Sequence, residues 1–333
     1  MSPASARAEL IEDRGDAAAD EEFFRSPEFL EAEGVTHTLR IETDGFELTA
    51  PLIVREIDGT DRHDAGSPYG YPGLAVGRRG GARRSLPAVA PAGTPPPPAN
   101  LDPESIDFSA TGLVSIFLRH TLGSTPLSGA TERNVVQIAD PALPAKSRPS
   151  DRRQVRRNLE AGYELALVPG EETAPEQRAG FLDLYEQTMR RTAAAEQYFF
   201  AAAYFDRILE ADRTWLALAT APEGDLAAAS IAVVSDGYLH YYLSGSADSH
   251  LRDSPMKNVV SRLVELSNEL GLPLNLGGGL SPGDPLEEFK RGFANRQLAW
   301  LTSELVCDEE RYRQLSAGRE AKGFFPAYRA GER

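Results

Sequence analysis

Strand-like runs of alternating apolar and polar residues cover His37 to Glu42 and Phe46 to Ile57, and Asp44-Gly45 between them is a turn pair, so the sequence predicts a β-hairpin. Pro27 to Glu33 suits a short helix just before it. Residues 1–22 carry seven acidic and two basic side chains with little apolar content, and read as a flexible acidic arm. The stretch Pro87 to Asn100 holds six prolines, which lack the amide donor that a helix or an inner strand needs. Strand character resumes at Leu113 to Leu118 and Asn134 to Ile138, so this segment reads as an insertion at 87–100 within a domain spanning 23–147.

A second domain is predicted over 148–312, followed by a tail at 313–333. Ser150 is placed to cap a helix running to about Ala161, and Tyr163 to Val168 reads as a strand. Thr173 and Pro175 open a longer helix whose Phe181, Tyr185 and Met189 fall near one stripe, and Phe200, Tyr204, Ile208 and Leu209 mark another. Three strands follow, Thr214 to Thr220, Ala227 to Val234 and Tyr238 to Leu243, separated by the turn signals Pro222-Glu223-Gly224-Asp225 and Asp236-Gly237. Ser254-Pro255 then start a helix with Val259, Val260, Leu263 and Val264 inward and Gly271 as its stop. Leu274 to Leu276 is a short strand. Asp284, Pro285 and Glu287 spell the start of a short helix, and Leu298 to Val306 closes the domain as a strand.

Composition narrows the class. At 333 residues, with 41% hydrophobic side chains, the chain has material for two cores and is not broadly disordered. Its 35 basic against 50 acidic residues give a net charge of -15, so a polyanionic partner has to use a local basic patch. Cys307 is the single cysteine, which forbids an internal disulfide and fits a reducing, cytoplasmic setting. No run of eighteen apolar residues appears, so a transmembrane segment is not expected. The five histidines never stand four apart on one segment, so no helical two-histidine metal site is expected.

The predicted order from Tyr163 is strand, two helices, three strands, helix, strand, helix, strand. That series resembles the GNAT acyltransferase fold, in which the fourth and fifth strands splay and admit an acyl donor. Four segments narrow it: Tyr241-Tyr242-Leu243-Ser244-Gly245-Ser246, Ser254-Pro255-Met256, Leu276-Gly277-Gly278-Gly279 and Phe289-Lys290-Arg291-Gly292-Phe293. Together they are similar to the Fem-type (FemABX) aminoacyl transferases. The resemblance implies an α/β (α+β) chain of two tandem GNAT-like units, with mixed, mostly antiparallel sheets flanked by helices. Ser67-Pro68-Tyr69-Gly70-Tyr71-Pro72-Gly73 and the strand ending at Arg119 are similar to features of the first unit.

An amide-forming acyltransfer is therefore expected, moving an aminoacyl group from charged tRNA to an amine on a peptide-like or small-molecule acceptor, with no permanent cofactor. Two alternatives stand beside it: an acyl-CoA-dependent N-acyltransferase, and a non-catalytic GNAT-fold binding protein. The resemblance gives Lys290 a catalytic role in stabilising negative charge. Tyr242 and Ser244 are placed to hydrogen-bond the donor, Tyr242 also as a proton donor, and Phe289 to shape the donor channel. His240 has an intrinsic pKa suited to a base. The helix start at Met256 and Lys257 offers free amides and a cation to phosphate. Yet Asp248 and Asp253 stand where acetyl-CoA enzymes carry a glycine-rich pyrophosphate loop. Arg152 and Arg156 lie four apart on one helix face and suit donor phosphates; Arg78, Arg79, Arg83 and Arg84 form a second basic cluster. Tyr69, Arg190, Arg191 and Tyr198 are expected to face the acceptor.

Overall fold

A computed structural model describes residues 6–14, 22–77, 83–84, 101–319 and 323–331. The chain divides into two compact units, one made of Met1–Arg133 and Ala299–Arg333, the other of Asn134–Leu298. The expected division at 147/148, with a tail from 313, is thus corrected: the first unit is built from two stretches of chain that flank the second in sequence.

The first unit contains β1 (Ala6–Ile11), α1 (Pro27–Ala32), β2 (His37–Thr43), β3 (Glu47–Glu56), β4 (His63–Gly66), β5 (Ala75–Gly77), β6 (Arg83–Arg84), β7 (Ile106–Asp107) and β8 (Leu113–Arg119). The predicted hairpin is β2 and β3, paired antiparallel from His37↔Leu52 to Glu42↔Glu47. β1 pairs antiparallel with β2 and parallel with β7; β3 pairs antiparallel with β4 and β5; β4 runs parallel to β8. Leu39, Ile41, Leu48, Ala50, Leu52, Ile116 and Leu118 form the core between these strands.

Residues 6–11 are no arm. Ala6 and Ala8 are buried and pack into that core while Glu9 pairs with Arg40 at 2.8 Å, an inward/outward alternation that the acidic count hides. The proline-rich 87–100 lies outside the described residues, as do Arg78 and Arg79; Arg83 and Arg84 form β6, whose backbone pairs with β5.

The second unit follows with β9 (Thr131–Ala139, entering from the first), α2 (Pro149–Glu160), β10 (Glu164–Pro169), α3 (Pro175–Arg191), α4 (Ala202–Leu209), β11 (Thr214–Thr220), β12 (Leu226–Ser235), β13 (Tyr238–Ser246), α5 (Met256–Leu270), β14 (Leu274–Gly277) and α6 (Pro285–Arg291). The helix before β10 starts two residues earlier than a Ser150 cap implies, with Arg148 at its N-cap and Pro149 first. A 3-10 turn at Asp248–Asp253 was not legible in the sequence. The sheet order is β10-β11-β12-β13-β14-β9. Neighbours are antiparallel throughout except β13 and β14, which run parallel. In β12, Ala227 to Ser235 are all buried, as expected of a central strand with α3 and α5 both packed on it. Its alanines let those helices approach closely.

β15 (Arg296–Val306) leaves the second unit and, from Thr302↔Arg119 to Val306↔Ser115, pairs antiparallel with β8 of the first. α7 (Glu309–Ser316) and a turn at Ala327–Arg329 follow. Tyr328 is 2% exposed, its hydroxyl shared with Ser115 (2.8 Å) and donated to Asp64 (3.0 Å), and Arg329 pairs with Asp64 at 2.6 Å. Tyr328 thus joins the first unit's core with Ile57 and Val114. Among the described residues no helix is long and apolar enough to cross a membrane.

Candidate acyl-donor cleft in the second unit

β13 and β14 are paired only at Leu239↔Leu274 and His240↔Asn275. β13 then runs on to Ser246 without β14 beside it, so the two parallel strands part after one short ladder. His240 fastens the point of parting. Its Nε2–H donates to the Ser235 carbonyl (3.2 Å) and its Nδ1 accepts from Asn275 Nδ2 (3.1 Å), which fixes the tautomer. Burial pushes its pKa down to about 4, so it is a neutral strut rather than a base.

His120 in the first unit is likewise held down at about 4 by burial. For both, the unfolded imidazole binds a proton that the folded one refuses between pH 6.5 and 4, so stability is expected to fall as pH drops through that window. Each contributes about 3 kcal/mol of loss when complete. Thermal melts of wild type and His240→Gln between pH 7 and 4 check this: the variant should show the shallower decline.

A bulge in β13 redirects the next residues. Ile231 faces Leu243 while its neighbour Ala232 faces Tyr241, leaving Tyr242 as the extra residue. The regular alternation of a strand therefore breaks at Tyr242, and Leu243 moves to the face opposite Tyr241. Tyr241 shares a 2.6 Å hydrogen bond with Ser244 and is packed under α5, whereas Tyr242 shares a 2.8 Å bond with Tyr204 of α4. Tyr242 and Ser244 are thus held by different partners.

At the end of β14, the turn to α6 is tied by Asp284. Its carboxylate accepts from the N–H groups of Glu287 (2.7 Å), Leu280 (2.6 Å) and Ser281 (2.9 Å), and these bonds hold its pKa below the ordinary value. Glu287 returns to accept from Gly283 N–H at 2.6 Å and pairs with Arg291. The cap that the sequence spelled is present, and it aims Lys290 back across the turn. Lys290 is only 8% exposed, and its ammonium donates to the Gly278 carbonyl at 2.7 Å, beside the place where β13 and β14 have separated. Burial lowers its pKa to about 8.

The other expected site residues are distributed as follows. Phe289 meets Phe293 edge-on at 5.8 Å and packs against the core under α5, as does Met256. Lys257 is committed to the buried Asp151 at 2.9 Å, which weakens the case for phosphate at this helix start. Arg152 donates to the Ser147 carbonyl, Arg156 lies 3.8 Å from Glu160, and both line a groove of about 280 Å³ with Val155, Leu159, Val264 and Phe293. Arg190 pairs with Glu186 and Arg191 with Asp248, so both guanidinium groups have internal carboxylates. Tyr198 offers its carbonyl to Tyr185 Oη at 2.8 Å. Tyr69 belongs to the first unit, its N–H on Glu33 (2.9 Å) and its ring under Arg119. Sequence reasoning missed Asn275 and Asn134; the latter's amide donates to the Gly279 carbonyl at 2.8 Å and fixes the glycine turn. A polar residue inside a short apolar strand was the available signal for Asn275.

Residues 145–291 match the family described as acetyltransferase (GNAT) domain. No curated protein matches the chain. Among solved structures the chain is similar to FemX, with a TM-score of 0.58 at 11% identity over 92% of this chain and 99% of that one. It is also similar to L-PGS from Bacillus licheniformis, with a TM-score of 0.51 at 13% identity over 85% of this chain and 93% of that one. A conserved protein of unknown function from Bacteroides thetaiotaomicron gives 0.50 at 12% identity over 87% and 92%. The fold is the Fem-like GNAT fold.

Proposed function

We propose that this Fem-like GNAT fold forms an amide, transferring an aminoacyl group from aminoacyl-tRNA to an amine of a peptide-like or small-molecule acceptor. The observation that carries the reading is the parting of β13 from β14 with the Lys290 ammonium at its edge. The acyl tail of the donor lies in the parting. The neutral acceptor amine attacks the acyl carbonyl, the new C–N bond forms, the ester C–O bond breaks, and the amine proton passes to the departing ribose oxygen. Lys290 stabilises the negative charge that develops on the way, where a cation in a water-poor site is worth several kcal/mol. Tyr242 and Ser244 hydrogen-bond the donor, and Arg152 and Arg156 contact its phosphates. The pairing of Lys257 with Asp151 and the acids Asp248 and Asp253 disfavour a pyrophosphate at the start of α5, and this supports tRNA over acyl-CoA as donor.

Labelled aminoacyl-tRNA and acetyl-CoA, offered side by side with the same amine acceptors, test the reading: the aminoacyl label should move, and RNase should abolish transfer. Movement of the acetyl label alone would assign an acyl-CoA enzyme, and transfer of neither a binding protein. Because Lys290 must carry its proton, kcat/KM is expected to fall above pH 8, about tenfold per pH unit. A rate still climbing at pH 10 would remove Lys290 as the acting cation.

A further inference from the structure

Arg119 closes β8 in the first unit. Its N–H donates to Ser67 Oγ (3.0 Å) and its carbonyl accepts from Gly73 N–H (3.1 Å), so the backbone is pinned by the Ser67–Gly73 segment. The guanidinium carbon lies over the Tyr69 ring at 5.3 Å and the Trp300 ring at 5.1 Å. Tyr71 meets Trp300 edge-on at 6.1 Å, and the Glu33 carboxylate accepts from the Tyr69 N–H at 2.9 Å. Two aromatic faces thus orient a planar cation whose forked N–H edge, among the described residues, meets no acceptor. Arg40, Arg133 and Arg329 in the same unit each face a carboxylate.

Trp300, whose ring the guanidinium covers, has its indole N–H buried and unpaired. Buried polar atoms are nearly always satisfied, so this N–H, together with a guanidinium edge that meets no acceptor, points to a ligand that belongs there. The cation sets its sign. Two parallel N–H groups on a rigid plane match the two oxygens of a carboxylate or phosphate, and an oriented guanidinium loses little freedom on binding.

We propose that Arg119, held by Tyr69 and Trp300, is the anchor of an oxyanion-binding site in the first unit, and that it takes the carboxylate or phosphate group of the acceptor. Its role toward the acceptor rests on the amide-forming reading; the binding itself does not, and is measured without any transfer. The chain's two tryptophans, Trp215 and Trp300, give separate indole N–H signals in a ¹⁵N-labelled full-length sample. Acetate and inorganic phosphate are titrated in exchange for chloride at constant ionic strength. The Trp300 signal should move to saturation with at least one anion while Trp215 stays still; acetate alone assigns a carboxylate, phosphate alone a phosphate ester. Arg119→Gln should weaken that binding at least tenfold, and Arg119→Lys should too, because a point charge lacks the fork. Melting temperatures of both variants separate lost binding from a lost fold. No saturable shift with either anion, or the same affinity in a folded Arg119→Gln, would overturn the site.

Discussion

Replacing Lys290 by methionine is expected to lower amide formation by two to three orders of magnitude and at the same time to raise the melting temperature at pH 7. The first effect is the loss of one fixed cation from the transition state, about 3–4 kcal/mol. The second follows from the cost of burying that cation. Among the described residues its ammonium has one hydrogen-bond acceptor, the Gly278 carbonyl, and burial depresses its pKa from 10.5 to about 8. Below pH 8 the group is charged in both states and the folded state carries the whole penalty, about 3 kcal/mol. Between pH 8 and 10.5 the unfolded chain binds the extra proton, so wild-type stability rises with pH through that window. Methionine removes the charge with similar bulk but leaves the carbonyl without its donor, which returns about 1–2 kcal/mol of the gain. Thermal melts at pH 7 and pH 10.5 should therefore show an advantage for Lys290→Met that disappears at the higher pH. A variant equally inactive but less stable at pH 7 would mean that Lys290 is a structural residue.

Gly245→Ala is expected to cost about 3 kcal/mol or more, seen as a large drop in melting temperature or as insoluble expression. Gly245 stands on β13 beyond the bulge, where α3 crosses the strand. A methyl there would fall on the backbone carbonyl of Leu184 and the backbone nitrogen of Tyr185, and neither can turn aside as a side chain would. The helix itself has to move, and it is fastened by Thr188 Oγ1 accepting from the Ser246 N–H at 3.0 Å. Gly237→Ala is the comparison: its φ is +78°, yet nothing lies within 4 Å of the added carbon. That substitution should cost only the strain of a left-handed alanine, about 1–2 kcal/mol. Equal losses from the two would show that α3 yields, and that close packing at Gly245 does not matter.

What could be read from the sequence was local. The Asp284-Pro285-Glu287 cap, the Asp44-Gly45 hairpin and the stop at Gly271 each depend on residues within a few positions, and each is present. What could not be read depends on partners far along the chain. The bulge at Tyr242 is a register choice between β12 and β13, and Lys257 is matched by Asp151 from another helix. β1 was hidden because its short alanine side chains, Ala6 and Ala8, leave so little apolar signal beside Glu9 and Glu12. The unit boundaries were missed for a related reason: β15 reads as the last strand of the second unit by order, yet its second half, Thr302 to Val306, pairs with β8 of the first.

That pairing has a consequence for how the protein is made. Arg119 leaves the ribosome long before its partner Thr302, roughly 180 residues later in the chain, so the edge of β8 waits while the whole intervening unit is synthesised. Until β15 arrives, the nascent chain presents an open row of amides and carbonyls, the form of strand most prone to pairing with a neighbour. Premature termination anywhere between the two strands should consequently yield aggregates rather than a shortened folded protein, and chaperone dependence should be greatest over that interval of translation.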